Sequence, residues 1–392
     1  MRLLLLNHTP LDGSGSGIYL RRIAEWLTGQ GHTCAVLVPA PTDGGHAIEL
    51  HPMGPGPARR VARLPFPFPT FSGHRSSSAL YAELTDGELA DYLRAWSAAI
   101  RDACAELEPD VIHVNHLFLL ASAVARSAEV PYVVVSHGSE FFRTPGARFA
   151  EQQEAAGHRA AGLVGITRRI ADVVADTAGR PAGSVSVIPP GFDPAVFRPR
   201  TVDRTAVLAA LGCSGKRPCV AYAGRIVAYK RVPDLVAATA LIPAAQRPDL
   251  LVVGDGTALD EVRRACRHHD VGATFAGHHT DPLAIADLFA AVDLVVLPSA
   301  DDPYPMTVIE ALACATPALI SDRCGVTDIV GDAAGAIHPL GDVRRMADLI
   351  GRAMDENWKA TRGPHGPARV AGKRWSEIGA ALLGVYRSAV AR

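Results

Sequence analysis

The sequence predicts an α/β protein of two doubly wound, parallel-sheet domains. Three observations predict it. Short apolar runs alternate with stretches of helical period, the signature of parallel β-α-β units. The rhythm breaks at the Pro-rich "PPGFDPAVFRPR" of residues 189–200 and then restarts. A chain of 392 residues also exceeds the usual size of one domain.

In the first half, buried strands are expected over Arg2–Asn7, Thr33–Val38, Val111–Val114, Tyr132–Ser136, Gly162–Gly165 and Ser186–Ile188. The clearest helices between them are Gly17–Gln30 and Asp86–Leu107. Residues 52–78 interrupt the pattern with Pro, Gly, several Phe and the basic residues Arg59, Arg60 and Arg63. So long a connection without structure is unusual unless it is functional, and the two readings are a mobile loop over an acceptor site and a surface excursion pinned by prolines. After the break, strands are expected over Pro218–Ala223, Leu250–Val253, Ala273–Ala276, Leu294–Leu297 and Ala318–Ser321. Two such halves imply a cleft, with ligands at the carboxyl ends of the strands.

Composition narrows the function classes. Hydrophobic residues make up 48% and charged residues 20%, enough for large cores and against disorder. The net charge of −1 gives no basic excess for nucleic acid. Seven scattered cysteines form no CxxC pair, which argues for a reducing, cytoplasmic setting and against a zinc site. Leu3–Leu6 is too short for a signal segment, and no apolar run reaches membrane-spanning length.

The chemistry is sought just after strands. Residues 13–17 read Gly-Ser-Gly-Ser-Gly before a helix. This matches neither G-x-G-x-x-G nor a P-loop, so the loop alone leaves open a dinucleotide, an NTP, a nucleotide sugar or a plain turn. In "AYAGRIVAYKR", Arg225 and Lys230 flank a strand-to-helix junction where a fork and a point charge suit a diphosphate. Lysine is scarce here (Lys216, Lys230, Lys359 and Lys373), which sharpens the case for Lys230. In "PSADDPYPMTVIEALACATP", Pro303 and Pro305 delay the helix to about Met306. Asp302 then stays in the loop and Glu310 lies on the first turns, a pair suited to sugar hydroxyls. The helix start offers the amides of Tyr304, Met306 and Thr307 to a phosphate. The bland alternative is an acidic cluster complementing the helix dipole. His113 and His116 lack a third ligand at metal spacing and read as cleft or core histidines. "SHGSE" at 136–140 is not a nucleophile elbow.

With these residues in place, the chain resembles the retaining GT-B glycosyltransferases of family 4, also called glycosyl transferases group 1. The likeness runs through Gly15 to Gly31-His32, "DVIHVNH", "VVVSHG", "IPPGFD", Gly224-Arg225 with Lys230, "VVGDG", Ala273–Gly277, "DPYPMTVIEALACATPALI" and "RWSEIGAALLGVYRSAV". It implies two Rossmann-like domains facing across a cleft. Residues 1–195 would bind the acceptor, with a C-terminal helix of 373–392 packed back on them, and 196–372 would bind a nucleotide-sugar donor. It implies that Arg225 and Lys230 hold the diphosphate, that Glu310 binds the ribose, and that Asp302 and His137 meet the transferred sugar. Gly15 would lie under the diphosphate, and Gly254, Asp255 and Gly256 would line the nucleotide pocket. His278 could touch the base, and Glu140 could orient an acceptor hydroxyl. The sequence departs from the family in a shorter first carboxylate, Asp302, and in prolines at 303 and 305, which leave two fewer backbone donors.

The resemblance implies transfer of a sugar, with retention, from a UDP- or GDP-sugar to a hydroxyl of a small-molecule, natural-product or cell-envelope acceptor. It implies no cofactor, no tightly bound metal and no nucleic-acid partner. Peripheral membrane contact through Arg59, Arg60 and Arg63 is kept open. The alternatives are a non-hydrolysing sugar-nucleotide epimerase of the same fold and a sugar-binding protein without catalysis. An NAD-dependent oxidoreductase lacks its fingerprint.

Overall fold

The computed structural model describes residues 1–43, 45–74, 76–142 and 146–392. Arg75, within the Pro-rich segment discussed above, lies outside the described residues. The chain divides into two compact units, Met1–Gly191 with Trp375–Arg392, and Phe192–Arg374. The division falls at Gly191/Phe192 and Arg374/Trp375 rather than at the expected 195/196 and 372/373.

Among the described residues, unit 1 is built on eight strands: β1 (Arg2–Leu6), β2 (Thr33–Thr42), β3 (Gly45–Pro52), β4 (Arg59–Arg63), β5 (Val111–Asn115), β6 (Tyr132–Ser136), β7 (Gly162–Gly165) and β8 (Ser186–Val187). They are ordered β4-β3-β2-β1-β5-β6-β7-β8. Helices α1 (Gly15–Gly29), α2 (Asp86–Leu107), α3 (Leu119–Ser127), α4 (Ser139–Phe142), α5 (Gly146–Arg159) and α6 (Arg168–Thr177) connect them. Leu3–Leu6 are fully buried in β1, as a strand covered on both faces requires.

One edge of this otherwise parallel sheet is antiparallel. β3 pairs antiparallel with β2, closing at Thr42 and Gly45, and β4 pairs antiparallel with β3. Residues 52–78 are therefore not a free loop. Arg59 lies in β4 and pairs with Asp102 (2.9 Å) and Glu106 of α2. Farther on, Phe68 is fully buried and Phe71 nearly so, and Tyr81 Oη meets Tyr92 Oη at 2.9 Å. Aromatic burial, rather than proline stiffness alone, anchors this segment.

Unit 2 has six parallel strands: β9 (Cys219–Ala223), β10 (Asp249–Val253), β11 (Ala273–Gly277), β12 (Leu294–Leu297), β13 (Ala318–Ser321) and β14 (Gly335–His338). Their order, β11-β10-β9-β12-β13-β14, reverses direction between β9 and β12. That is the doubly wound order, and its switch point is where ligands of open sheets bind. Helices α7 (Arg204–Ala210), α8 (Val232–Leu241), α9 (Leu259–His269), α10 (Pro282–Ala291), α11 (Met306–Ala313), α12 (Thr327–Ala334), α13 (Val343–Asp355), α14 (Trp358–Thr361) and α15 (Gly366–Arg369) complete it.

The last helix, α16 (Trp375–Val390), belongs to unit 1 and packs on α1. A Cβ at Gly379 would lie 2.3 Å from Trp26, so only glycine admits this close approach. Among the described residues, no helix is long and apolar enough to cross a membrane.

Candidate functional site

In unit 2, two loops meet at the switch point. The first follows β9 and runs from Gly224 to Lys230. It is held from below by the β10–α9 loop, through Gly224 N to Val253 O (2.9 Å), Ile226 N to Asp255 O (2.8 Å) and Ala258 N to Ile226 O (2.9 Å). The approach is so close that side chains are excluded. A Cβ at Gly254 would lie 1.9 Å from Gly224 O, and one at Gly256 would lie 2.2 Å from Ile226 O. Both glycines also have positive φ, at 136° and 153°. Gly254 and Gly256 seat the loop that carries Arg225 and Lys230. Asp255 is exposed and caps the Gly256 amide at 2.7 Å.

The second loop follows β12 and runs from Pro298 to Pro305. Ala300 N donates to Tyr229 O at 2.7 Å, tying it to the first loop. Gly325 N donates to Asp302 O at 2.9 Å, and a Cβ at Gly325 would strike Pro303 O at 2.0 Å. Lys230 Nζ then forms an ion pair with the Asp302 carboxylate, with only 12% and 13% of the two side chains exposed. Arg225 is exposed and donates to Tyr229 Oη at 3.0 Å. The helix expected to start near Met306 does so, with Pro305 at its N-cap. Proline has no side-chain acceptor, so no side chain caps α11, and the first amides, Met306 and Thr307, stand at its positive end. Glu310 sits half-buried on the second turn of α11, and Tyr304 is buried just before it. His278 is exposed beyond the end of β11.

Sequence reasoning missed Tyr222 and Tyr229. Tyr222 Oη donates to Arg225 O at 2.5 Å, and burial pushes its phenol far up, so it remains a donor. Neither tyrosine has a local spacing signal, because each acts by bracing another loop.

In unit 1 the corresponding switch point lies between β1 and β5. Asn7 Nδ2 donates to Thr9 O (2.9 Å) and Thr9 Oγ1 (2.8 Å), and Thr9 Oγ1 meets Ser14 Oγ at 2.7 Å. Ser14 caps α1 by accepting from Gly17 N at 3.0 Å. Gly17, not Gly15, is the glycine the turn requires. Its Cβ would lie 2.3 Å from Pro10 O, whereas a Cβ at Gly15 meets nothing within 4 Å. Gly15 is exposed at the helix start.

Histidines gather at the ends of β5 and β6. His137 Nε2 lies 3.0 Å from Asn115 Oδ1, and Tyr19 meets the His137 ring edge-on at 4.9 Å. Burial, then the neighbouring His116 and His113, hold the His137 imidazole well below its ordinary pKa. His8 is lowered likewise, mainly by burial. His113 is pushed down to about 4 by burial.

Glu140 is buried among partners of its own unit. It is 1% exposed and accepts from His116 Nδ1 (2.8 Å), Leu117 N (3.2 Å) and Ser136 Oγ (2.5 Å). Burial alone would raise its pKa, but the His116 ring and these donors outweigh it and hold the carboxyl below its usual value. Among the described residues, no group of three or more His, Cys, Asp and Glu is placed to hold a metal.

The family model for Glycosyl transferases group 1 matches residues 203–363, and that for Glycosyltransferase Family 4 matches residues 13–196. A D-inositol 3-phosphate glycosyltransferase of Stackebrandtia nassauensis is 28% identical over 97% of this chain and 88% of its own length. A 2-deoxystreptamine N-acetyl-D-glucosaminyltransferase of Streptomyces fradiae is 29% identical over 77% of this chain and 74% of its own. Among solved structures, sucrose-phosphate synthase from Thermosynechococcus elongatus superposes with a TM-score of 0.78 at 22% identity, covering 99% of both chains. Anabaena HepE, solved with UDP-glucose, superposes with a TM-score of 0.72 at 19% identity, covering 98% of this chain and 99% of its own.

Proposed function

Because the chain belongs to the glycosyl transferases group 1, family 4 type, and is a glycosyltransferase of the GT-B fold, we propose that it moves a sugar from a nucleoside-diphosphate sugar to a hydroxyl of a small polyol. The observation that carries the donor reading is Lys230 and Asp302 paired at the β9/β12 switch point, next to the uncapped start of α11. That arrangement offers a cation, free amides and a carboxylate to one ligand. A diphosphate uses the first two and a sugar hydroxyl the third.

In this reading Lys230 and Arg225 take the diphosphate with the Met306 and Thr307 amides, and Tyr304 contributes its backbone amide. Glu310 accepts from the ribose hydroxyls. Asp302 exchanges Lys230 for a hydroxyl of the transferred sugar when the diphosphate claims the lysine. Asp255 and His278 border the nucleotide, Gly15 lies under the phosphates, and His137 meets the sugar. The bond from the anomeric carbon to the phosphate oxygen breaks, and a bond to the acceptor oxygen forms. The acceptor's proton passes to the departing phosphate on the same face, which retains configuration. Cations and helix amides stabilise the charge that develops on the leaving group, the term that usually dominates such reactions. No resident metal is needed for that neutralisation.

The small ring-polyol acceptor is supported by the names of two relatives, an inositol phosphate and a deoxystreptamine transferase. The donor base is tested by thermal shift against UDP-, GDP-, ADP- and dTDP-sugars. A uridine or guanosine donor is expected to raise the melting temperature by mass action. No shift with any of the four would overturn the donor reading.

A further inference from the structure

A buried hydrogen-bond chain in unit 1 crosses from α16 to the end of β6. Tyr386 Oη meets His113 Nδ1 at 2.6 Å, and His113 Nε2 meets Asn115 Oδ1 at 2.9 Å. The same Asn115 Oδ1 meets His137 Nε2 at 3.0 Å. The direction of every bond follows from one fixed end. Asn115 Nδ2 faces the Ser16 carbonyl oxygen at 3.1 Å and Asn7 Oδ1 at 3.3 Å. A carbonyl only accepts, so the nitrogen of the Asn115 amide faces Ser16 and its oxygen faces the two histidines. Asn7 is oriented in the same way, since its own Nδ2 donates to Thr9 O at 2.9 Å.

An amide oxygen also only accepts. Both imidazoles must therefore carry a proton on Nε2. His113 then has a lone pair on Nδ1, which accepts from the Tyr386 hydroxyl. For His137, Nδ1 has no partner among the described residues, and the residue is partly exposed.

We infer that Asn115 is a positioning residue, which fixes His137 as the tautomer protonated at Nε2 and leaves Nδ1 to accept a hydrogen bond from a substrate hydroxyl. This rests on the reading that His137 meets the sugar. It deepens that reading by giving the polarity of the contact. A phosphate, which has no proton to give at neutral pH, is rejected at this position, and a hydroxyl is accepted. The charge state agrees. Burial and the rings of His116 and His113 disfavour the imidazolium. The groups facing the ring are His113 within β5, His116 just after it, His8 after β1 and Tyr19 of α1; Glu140 of α4 is already engaged by His116, Leu117 and Ser136.

The test uses the full-length chain labelled with 15N-histidine. The His137 signals are assigned by their loss in His137→Gln. The expected wild-type spectrum at pH 7 shows a protonated Nε2 and an unprotonated Nδ1 on His137. The reverse tautomer, or an imidazolium, overturns the inference whether or not any variant folds. Asn115→Asp supplies the second arm. A carboxylate beside Nε2 favours the imidazolium, which blocks acceptance at Nδ1. Turnover of this variant is expected to fall about tenfold or more at pH 7 and to recover as pH rises, while the wild type stays flat, the factor that one pKa step produces. A loss that does not change with pH would mean Asn115 acts only by packing. Failure of the donor reading stays separable, since it would appear as full turnover in Lys230→Ala with the His137 tautomer unchanged.

Discussion

Lys230 is the side chain on which the donor reading turns. Its scarcity among basic residues and its place after a strand mark it in the sequence alone, and its ion pair with Asp302 gives it an address. Replacing Lys230 with Ala is expected to lower kcat/KM by a factor of about 10²–10³, the effect of removing one preorganised charge donor. Circular dichroism should be unchanged, because the side chain braces no strand. Turnover at the wild-type rate would remove Lys230 from the donor site. The glycines teach the opposite lesson. Gly15 stands out in the sequence and is sterically free, whereas Gly17, Gly254 and Gly256 are required by neighbouring carbonyl oxygens. Gly254→Ala should cost about 2 kcal/mol or more, since its Cβ overlaps Gly224 O and its φ is positive. A urea midpoint within error of wild type would contradict that packing. The contacts of Gly254 and Gly256 could not be read locally, because the obstructing atom lies about thirty residues away in sequence.

Among the elements, α11 was the most legible and the β3–β4 edge the least. Two prolines three and one residues before Met306 forbid an earlier helix start, and α11 begins at that residue. β3 and β4 were hidden because prolines and glycines around them read as loop, while the pairing that makes them strands is supplied by β2. α16 gives the test at this scale. Its Gly379 lies against the Trp26 indole, so Gly379→Leu should pry α16 from α1 and lower the melting temperature by several degrees. The same substitution at Gly384, where a Cβ meets nothing within 4 Å, should have a much smaller effect. Equal effects at both positions would mean that the Trp26 contact is unimportant.

For the molecule as a whole, three desolvated histidines of unit 1 predict a pH dependence. His8, His113 and His137 all titrate below their ordinary value in the folded chain. They therefore stay neutral when folded but gain protons when unfolded, below about pH 6.5. Their stabilisation is complete above that pH and is lost as pH falls towards about 4, where His113 itself titrates. For His113 alone the loss is on the order of 3 kcal/mol. Glu140, held below its usual value, acts in the same direction at lower pH, since protonating it removes its role as acceptor for His116 and Ser136. Urea unfolding at pH 7.5, 6.5, 5.5 and 4.5 should show a midpoint that falls through this range. A midpoint that holds steady down to pH 4.5 would show that these histidines are hydrated or already protonated in the folded chain.

By itself, the sequence determined the α/β class, the run of buried parallel strands and the identity of the loops that carry Arg225, Lys230, Asp302 and Glu310. Those follow from periodicity, proline placement and residue chemistry, which act over a few neighbouring residues. Tertiary structure alone decided the steric need for Gly254, the seating of Glu140 against His116 and the Asn115 bridge to His137. Each of these depends on an atom contributed by a distant stretch of chain, and that distance is closed only when the sheets assemble.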